Sequence, residues 1–207
     1  MPLQNRVTPF GEIVAQPWRG GLMGNRGCLH GKGTELGVSR WRHQAWVCCT
    51  TDYRGRQRDP MPPGRWTTLF FWDEAAALAA GHRPCGFCRR QAYAAFMAAW
   101  AAAGLPGGPG DSGPQKVDRH LHRHRVTRTR QQVRYQAPST VLPDGTFVMV
   151  EEGAHMAMLL WQSQMYHLSL ADGRYYAAGP PPDHVTVLTP EPMVRVLSAG
   201  YRPQTRL

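Results

Sequence analysis

The ten residues GHRPCGFCRR, 81–90, constrain this chain more than any other stretch. Cys85 and Cys88 stand at the spacing at which two thiolates share one metal ion while backbone amides face their sulfurs. Pro84 stiffens the entry. A helical pattern begins just after Cys88, and a helix N-terminus favours thiolate charge. Such a pair is half of a tetrahedral site, so the fold has to carry other ligands to it. The chain has five cysteines, an odd number with two of them adjacent. That count argues against a disulfide framework and for metal binding or core packing.

Cys48 and Cys49 lie in QAWVCCTT (44–51), a strand by its β-branched and aromatic content. Successive strand residues point to opposite faces, so one of the two is a ligand and the other is core. Cys28 and His30 lie in the glycine-rich loop RGGLMGNRGCLHGKG, which can bend toward a metal. His82 adjoins the pair but can equally serve the end of the preceding helix. The expected set is Cys49, Cys85 and Cys88, with a fourth ligand from Cys28 or His30, and Zn2+ as the ion. PCxxC also opens the zinc site of nucleobase deaminases, which need an H-x-E glutamate to carry protons. No H-x-E occurs in this chain.

The rest of the chain reads as an α+β protein: a small zinc-containing N-terminal module, then a basic helix, then a β-rich C-terminal region. Strands are expected near Glu12–Ala15, in 44–51 and in RWTTLFFW (65–72). DEAAALAAG is a short helix, with Asp73 as N-cap, Glu74 at its positive end and Gly81 as its stop. RRQAYAAFMAAWAAAG (89–104) is a second, with Tyr93, Phe96, Met97 and Trp100 on one apolar face. LPGGPGDSGP (105–114) is the best linker and divides 1–104 from 115–207. Beyond it STVLPDGTFVMV reads as a hairpin turning at Asp144-Gly145, Asp172-Gly173 marks a second turn, and PEPMVRVLSAGY is a short helix. No apolar run approaches the ~20 residues needed to cross a bilayer. The N-terminus lacks the charged-then-apolar layout of a signal peptide, so the expected location is the cytoplasm.

Charge points to a partner. The chain carries 24 basic against 14 acidic residues, a net +10, and every basic residue but Lys32 and Lys116 is arginine. The forked guanidinium suits phosphate, so the expected partner is nucleic acid, DNA first and RNA as the alternative. Arg26, Arg83, Arg89, Arg90, Arg123 and Arg128 are the expected contacts. Asn5, Arg6, Asn25 and Arg26, set among glycines, can let a backbone approach a phosphate closely. VDRHLHRHRVTRTR (117–130) also offers Asp118, His122 and Arg125 as a catalytic face, with Asp118 orienting His122 at i, i+4.

TTLFFWDEAAALAAGHRPCGFCRR resembles the second half of the zinc domain of bacterial Ada proteins: a phenylalanine strand, an EAxxAG helix, then an RPCxxC knuckle. The likeness covers about residues 44–90 and is sharpest at Gly81, Arg83, Pro84, Cys85 and Cys88. It implies zinc held by cysteines, contact with the DNA backbone, and a zinc-bound thiolate that takes a methyl group from methylphosphotriesters. The family spaces its first cysteine pair C-x-x-x-C; here the pair is adjacent, and its second ligand is missing or replaced. The whole chain also resembles a group of bacterial proteins that open NRVTPFG and carry GHRPCxxCRR, which implies no activity. The leading expectation is a zinc-binding, DNA-associated protein of repair or damage response. Its alternatives are a metal- or Asp/His-dependent enzyme acting on nucleic acid, and a non-catalytic RNA- or protein-binding module.

Overall fold

A computed structural model describes residues 1–55, 59–107, 113–150 and 156–207. Strands β1 (Gln4–Val7), β2 (Ile13–Ala15), β3 (Leu22–Asn25), β4 (Val47–Thr50) and β5 (Leu69–Phe71) come first. They lead into helix α1 (Glu74–Ala79), the short strand β6 (Arg83–Pro84), and helices α2 (Arg90–Ala102) and α3 (Pro114–Arg125). There follow β7 (Tyr135–Pro138), β8 (Phe147–Val150), β9 (Met156–Trp161), β10 (Gln164–Leu168), β11 (Tyr175–Gly179), β12 (His184–Val187) and helix α4 (Glu191–Ser198). Among the described residues this is an α+β fold of four helices and two six-stranded sheets. The first sheet runs β2-β1-β5-β3-β4-β6 and is mixed, with β1/β5 and β4/β6 parallel. The second runs β11-β10-β9-β8-β12-β7 and is antiparallel throughout.

Helix α1 lies between the sheets, and every one of its residues is buried. Ala77 and Ala80 pack with Leu22, Cys48, Leu69 and Phe71 of the first sheet. Ala75, Ala76 and Ala79 pack with Phe147, Met149, Leu159 and Leu168 of the second. Leu78 joins Phe96, Trp100, Val117, Leu121, Met193 and Leu197 of the other three helices. Alanine is the strongest helix former, and its single methyl lets two sheets close on one helix axis. Asp73 caps the start, its Oδ1 accepting from the Ala76 N–H at 2.9 Å. Gly81, at φ +80°, ends it, and a Cβ there would stand 2.6 Å from Cδ of Arg125.

Residues 108–112 of the expected linker lie outside the described residues. Those on either side share a core: Phe96, Trp100 and Leu105 before it pack with Val117 and Leu121 after it. The expected hairpin at Asp144-Gly145 is corrected. After β7 the chain makes a 3-10 turn over Ser139–Val141; β7 then pairs with β12, while β8 pairs with β9 and β12. Gly145 takes φ +91° and its N–H bonds to the Leu160 carbonyl at 2.9 Å, which aims β8 at β9 instead of back along β7. Asp172-Gly173 does join two paired strands, β10 and β11. No helix among the described residues is long and apolar enough to cross a membrane.

Because α1 has no room on either side, Ala76→Leu should lower the stability measured by urea denaturation by about 1–3 kcal/mol. Ala94→Leu on the exposed side of α2 should change it by less than about 0.5 kcal/mol. Equal effects would show that α1 is not tightly packed.

Candidate metal centre and an arginine cleft

Strand alternation separates the adjacent cysteines. Cys48 opposes Gly24 and Cys49 opposes Met23 across the β3/β4 ladder. Cys48 points into the core with Leu22, Leu69 and Phe71 and is fully buried. Cys49 therefore faces the other way. The β6 strand lies beside β4 with Pro84 opposite Cys48, and the Cys85 N–H bonds to the Cys48 carbonyl at 3.0 Å. A turn closed by the Arg89 N–H on the Cys85 carbonyl, 3.1 Å, then carries Cys88 to the start of α2. As a result the sulfurs of Cys49, Cys85 and Cys88 all lie within 4.8 Å of one another, a cluster able to hold a metal ion. Thiolates bound to one tetrahedral ion at about 2.3 Å stand about 3.8 Å apart, so only a small contraction is needed.

Hydrogen bonding within the cluster moves the three thiols in opposite directions. The Cys85 thiol is pulled down to about 4, chiefly by the hydrogen bond from the Cys49 thiol, with backbone N–H groups assisting against burial. One of these, from Phe87, lies 3.5 Å from its sulfur. That same bond and burial push Cys49 up. Burial, then the neighbouring charge on Cys85, pushes Cys88 up. Cys48 is a core thiol, pushed to about 12 by burial although Arg89 donates to its sulfur at 3.2 Å.

Cys28 and His30 do not join the cluster. The glycine-rich loop is fastened elsewhere: the Leu29 and His30 N–H groups both donate to Thr67 Oγ1, at 2.8 and 3.3 Å. His30 Nδ1 lies 2.6 Å from the same hydroxyl and its Nε2 lies 3.2 Å from the Pro62 carbonyl. The Cys28 thiol meets the His30 carbonyl at 3.6 Å. The structure does not bring the expected fourth ligand, Cys28 or His30, to the three sulfurs.

The expected catalytic face does not assemble either. Helix α3 turns Val117, Asp118, Leu121 and Arg125 inward. The Asp118 carboxylate accepts from Arg83 Nε at 2.8 Å and Nη2 at 2.7 Å, a buried bidentate pair directed at Arg83 and not at His122. His122 Nδ1 instead lies 3.0 Å from Arg125 Nη2, and its ring meets Trp41 and Trp46 edge-on. Burial, then the charge of Arg125, lowers His122 to about 4. Of the expected phosphate contacts, Arg83 is occupied by Asp118 and Arg89 by Glu74 at 2.9 Å. Arg90, Arg123 and Arg128 are exposed, and Arg26 is buried.

Trp46 organises a feature spread too widely along the chain for sequence reading to collect. Arg26 and Arg125 both lie over its ring, 4.1 and 3.9 Å from the centroid, and His82 stacks on it at 5.1 Å. His82 Nδ1 lies 3.1 Å from the Ala80 carbonyl, to which it donates, so Nε2 accepts from Arg26 Nε–H at 3.3 Å. Burial, then the charges of Arg26 and Arg125, keeps His82 well below its ordinary value and neutral. Arg26, Trp46 and Arg125 line a cleft of about 900 Å³. Compared with known proteins, the chain matches no family model, no curated protein and no solved structure.

Asp118→Ala, which strands Arg83 as a buried unpaired cation, should cost about 3–5 kcal/mol in chemical denaturation. The double variant Arg83→Met/Asp118→Leu should recover most of that loss. A single-variant cost under about 1 kcal/mol would contradict a buried, interdependent pair.

Proposed function

We propose that this is a zinc-binding, DNA-associated protein of DNA repair or damage response, with Zn2+ held by Cys49, Cys85 and Cys88. The observation that supports it is the convergence of three sulfurs from two separate segments of the chain. Three protein thiolates leave one corner of the tetrahedron, the arrangement of zinc sites that do chemistry instead of closing a fold. Zinc so held keeps its thiolates deprotonated at neutral pH and offers one position to water, a side chain or a substrate atom. The resemblance of residues 44–90 to the Ada zinc domain supplies the link to DNA. Beside the cysteines, Phe87 is 61% exposed and meets the Tyr53 ring at a tilt, centroids 5.2 Å apart, with Arg54 over the Tyr53 ring and Arg90 exposed. An apolar tip flanked by arginines suits a sugar–phosphate surface.

The enzymatic alternative now centres on the metal. The three-thiol count favours it, while Asp118 and His122 have other partners. An acceptor role for Cys85 in alkyl transfer would fit its place in the cluster and its half-exposed position.

Purified protein should carry about one zinc per chain. Cys49→Ser, Cys85→Ser and Cys88→Ser should each lose it, and Cys28→Ser and His30→Ala should keep it. Zinc uptake at pH 7 should release a number of protons that falls as pH rises, because the bound cysteines are held as thiolates. Calorimetry in two buffers of different ionisation enthalpy reads that number. Duplex DNA should bind with an affinity that falls steeply between about 50 and 200 mM salt. Zinc retained in all three cysteine variants would overturn the metal site, and no DNA binding at low salt would overturn the partner.

A further inference from the structure

The geometry points to a second site, distinct from the cysteines: the cleft over Arg26 and Arg125 binds the phosphate of a nucleotide, with Trp41 against the base. The inference deepens the nucleic-acid reading above and rests on it for the origin of the ligand.

Buried arginines elsewhere in this fold set the standard. Arg83 and Arg89 are each matched by a carboxylate, Asp118 and Glu74. Arg26 and Arg125 are buried as deeply, 3% and 2% exposed, yet neither forms an ion pair with a carboxylate among the described residues. They are held instead by neutral groups. Arg26 donates to His82 and to the Gly11 carbonyl; Arg125 donates to the Gly81 and Gln44 carbonyls at 2.8 and 2.7 Å. Arg26 Nη2 and Arg125 Nε are buried with no hydrogen-bond partner. On Arg125 the charge of Asp118 works against burial and against the like charges of Arg26 and Arg83, but both Asp118 oxygens are bonded to Arg83 and neither to Arg125. An unpaired buried cation is destabilising, and two side by side more so. An anion in the cleft that both line would reduce that cost.

The cleft has the shape and charge for such an anion. Its volume, about 900 Å³, is that of a small-molecule site. Five arginines line it, the buried pair and the exposed Arg40, Arg130 and Arg134, against one acid, the exposed Glu12. Planar guanidinium forks recognise phosphate oxygens in pairs. Trp41 is half-buried at the wall and offers a flat surface of the kind on which bases stack. A neighbouring cleft shares Arg40, Trp41 and Arg130 and adds Arg123 and Arg128, so the basic strip runs on past the buried pair. A phosphate joined to an aromatic base therefore fits better than a bare anion. It can arrive as a free nucleotide or within a polynucleotide strand.

The test is equilibrium binding to the full-length, zinc-loaded protein at low salt. The probes are AMP, ATP, a short single-stranded oligonucleotide and inorganic phosphate. At least one nucleotide probe should bind. Its Kd should rise about tenfold or more in Arg40→Ala/Arg130→Ala, which alters only exposed side chains. Binding should be lost in Arg26→Met, with circular dichroism reporting whether that variant is folded; if it is not, the exposed pair decides alone. AMP or ATP binding assigns the site to free nucleotides, and oligonucleotide binding without them assigns it to strands. No binding by any nucleotide probe, binding unchanged in Arg40→Ala/Arg130→Ala, or inorganic phosphate binding as tightly as AMP each overturns the proposal. Oligonucleotide binding that survives the arginine variants but is lost in Cys85→Ser overturns this cleft and leaves the metal-centred reading standing. Nucleotide binding in the cleft without duplex binding supports this cleft and overturns the duplex-DNA partner proposed above.

Discussion

The structure depends on a short alanine helix buried on every side. Two sheets and three other helices meet on α1: alanines face both sheets, and Leu78 faces the helices. Its first residues then fasten the surroundings. Asp73 caps the helix with one oxygen and accepts from Tyr175 of β11 and the Arg206 N–H with the other. Glu74 accepts from Arg89, from the Tyr201 hydroxyl at 2.6 Å and from the Gln204 N–H. Two carboxylates, buried because they are fully bonded, thereby tie the second sheet, α2 and the C-terminal tail to one helix end.

The other end of α1 sets the functional groups. Gly81 releases the chain into β6, which pairs with β4 and delivers Cys85 beside Cys49. The same glycine leaves its carbonyl to Arg125 and its missing Cβ to that side chain's stem. Ala79 and Ala80 reach the wall of the arginine cleft. One helix thus leads toward two features of opposite character: three sulfurs able to hold a metal ion, and a buried pair of guanidinium groups.

How much of this the sequence disclosed follows from the range of each signal. The ends of α1, the buried face of α2 and the division of labour between Cys48 and Cys49 rest on neighbours within a turn or a pleat. Asp73, Gly81 and strand alternation were enough to read them. The hairpin at Asp144-Gly145 failed because a turn fixes where the chain bends and not which strand it meets; β12, some forty residues later, took the place beside β7. Asp118 looked able to serve His122 because helical spacing brings them near. Arg83, on a different strand, made the stronger claim on its carboxylate. Cys28 and His30 were drawn to Thr67 and Pro62 by hydrogen bonds that no spacing announces. The trio Arg26, Trp46 and Arg125 spans a hundred residues, and nothing local marks it.

The central claim is a three-cysteine zinc site with one position left open. Zinc K-edge X-ray absorption of the metal-loaded protein reads the ligand set directly. The account predicts about three sulfur neighbours near 2.3 Å and one oxygen or nitrogen near 2.0–2.1 Å. Four sulfurs would contradict the open position, and a shell dominated by oxygen and nitrogen would contradict the site itself.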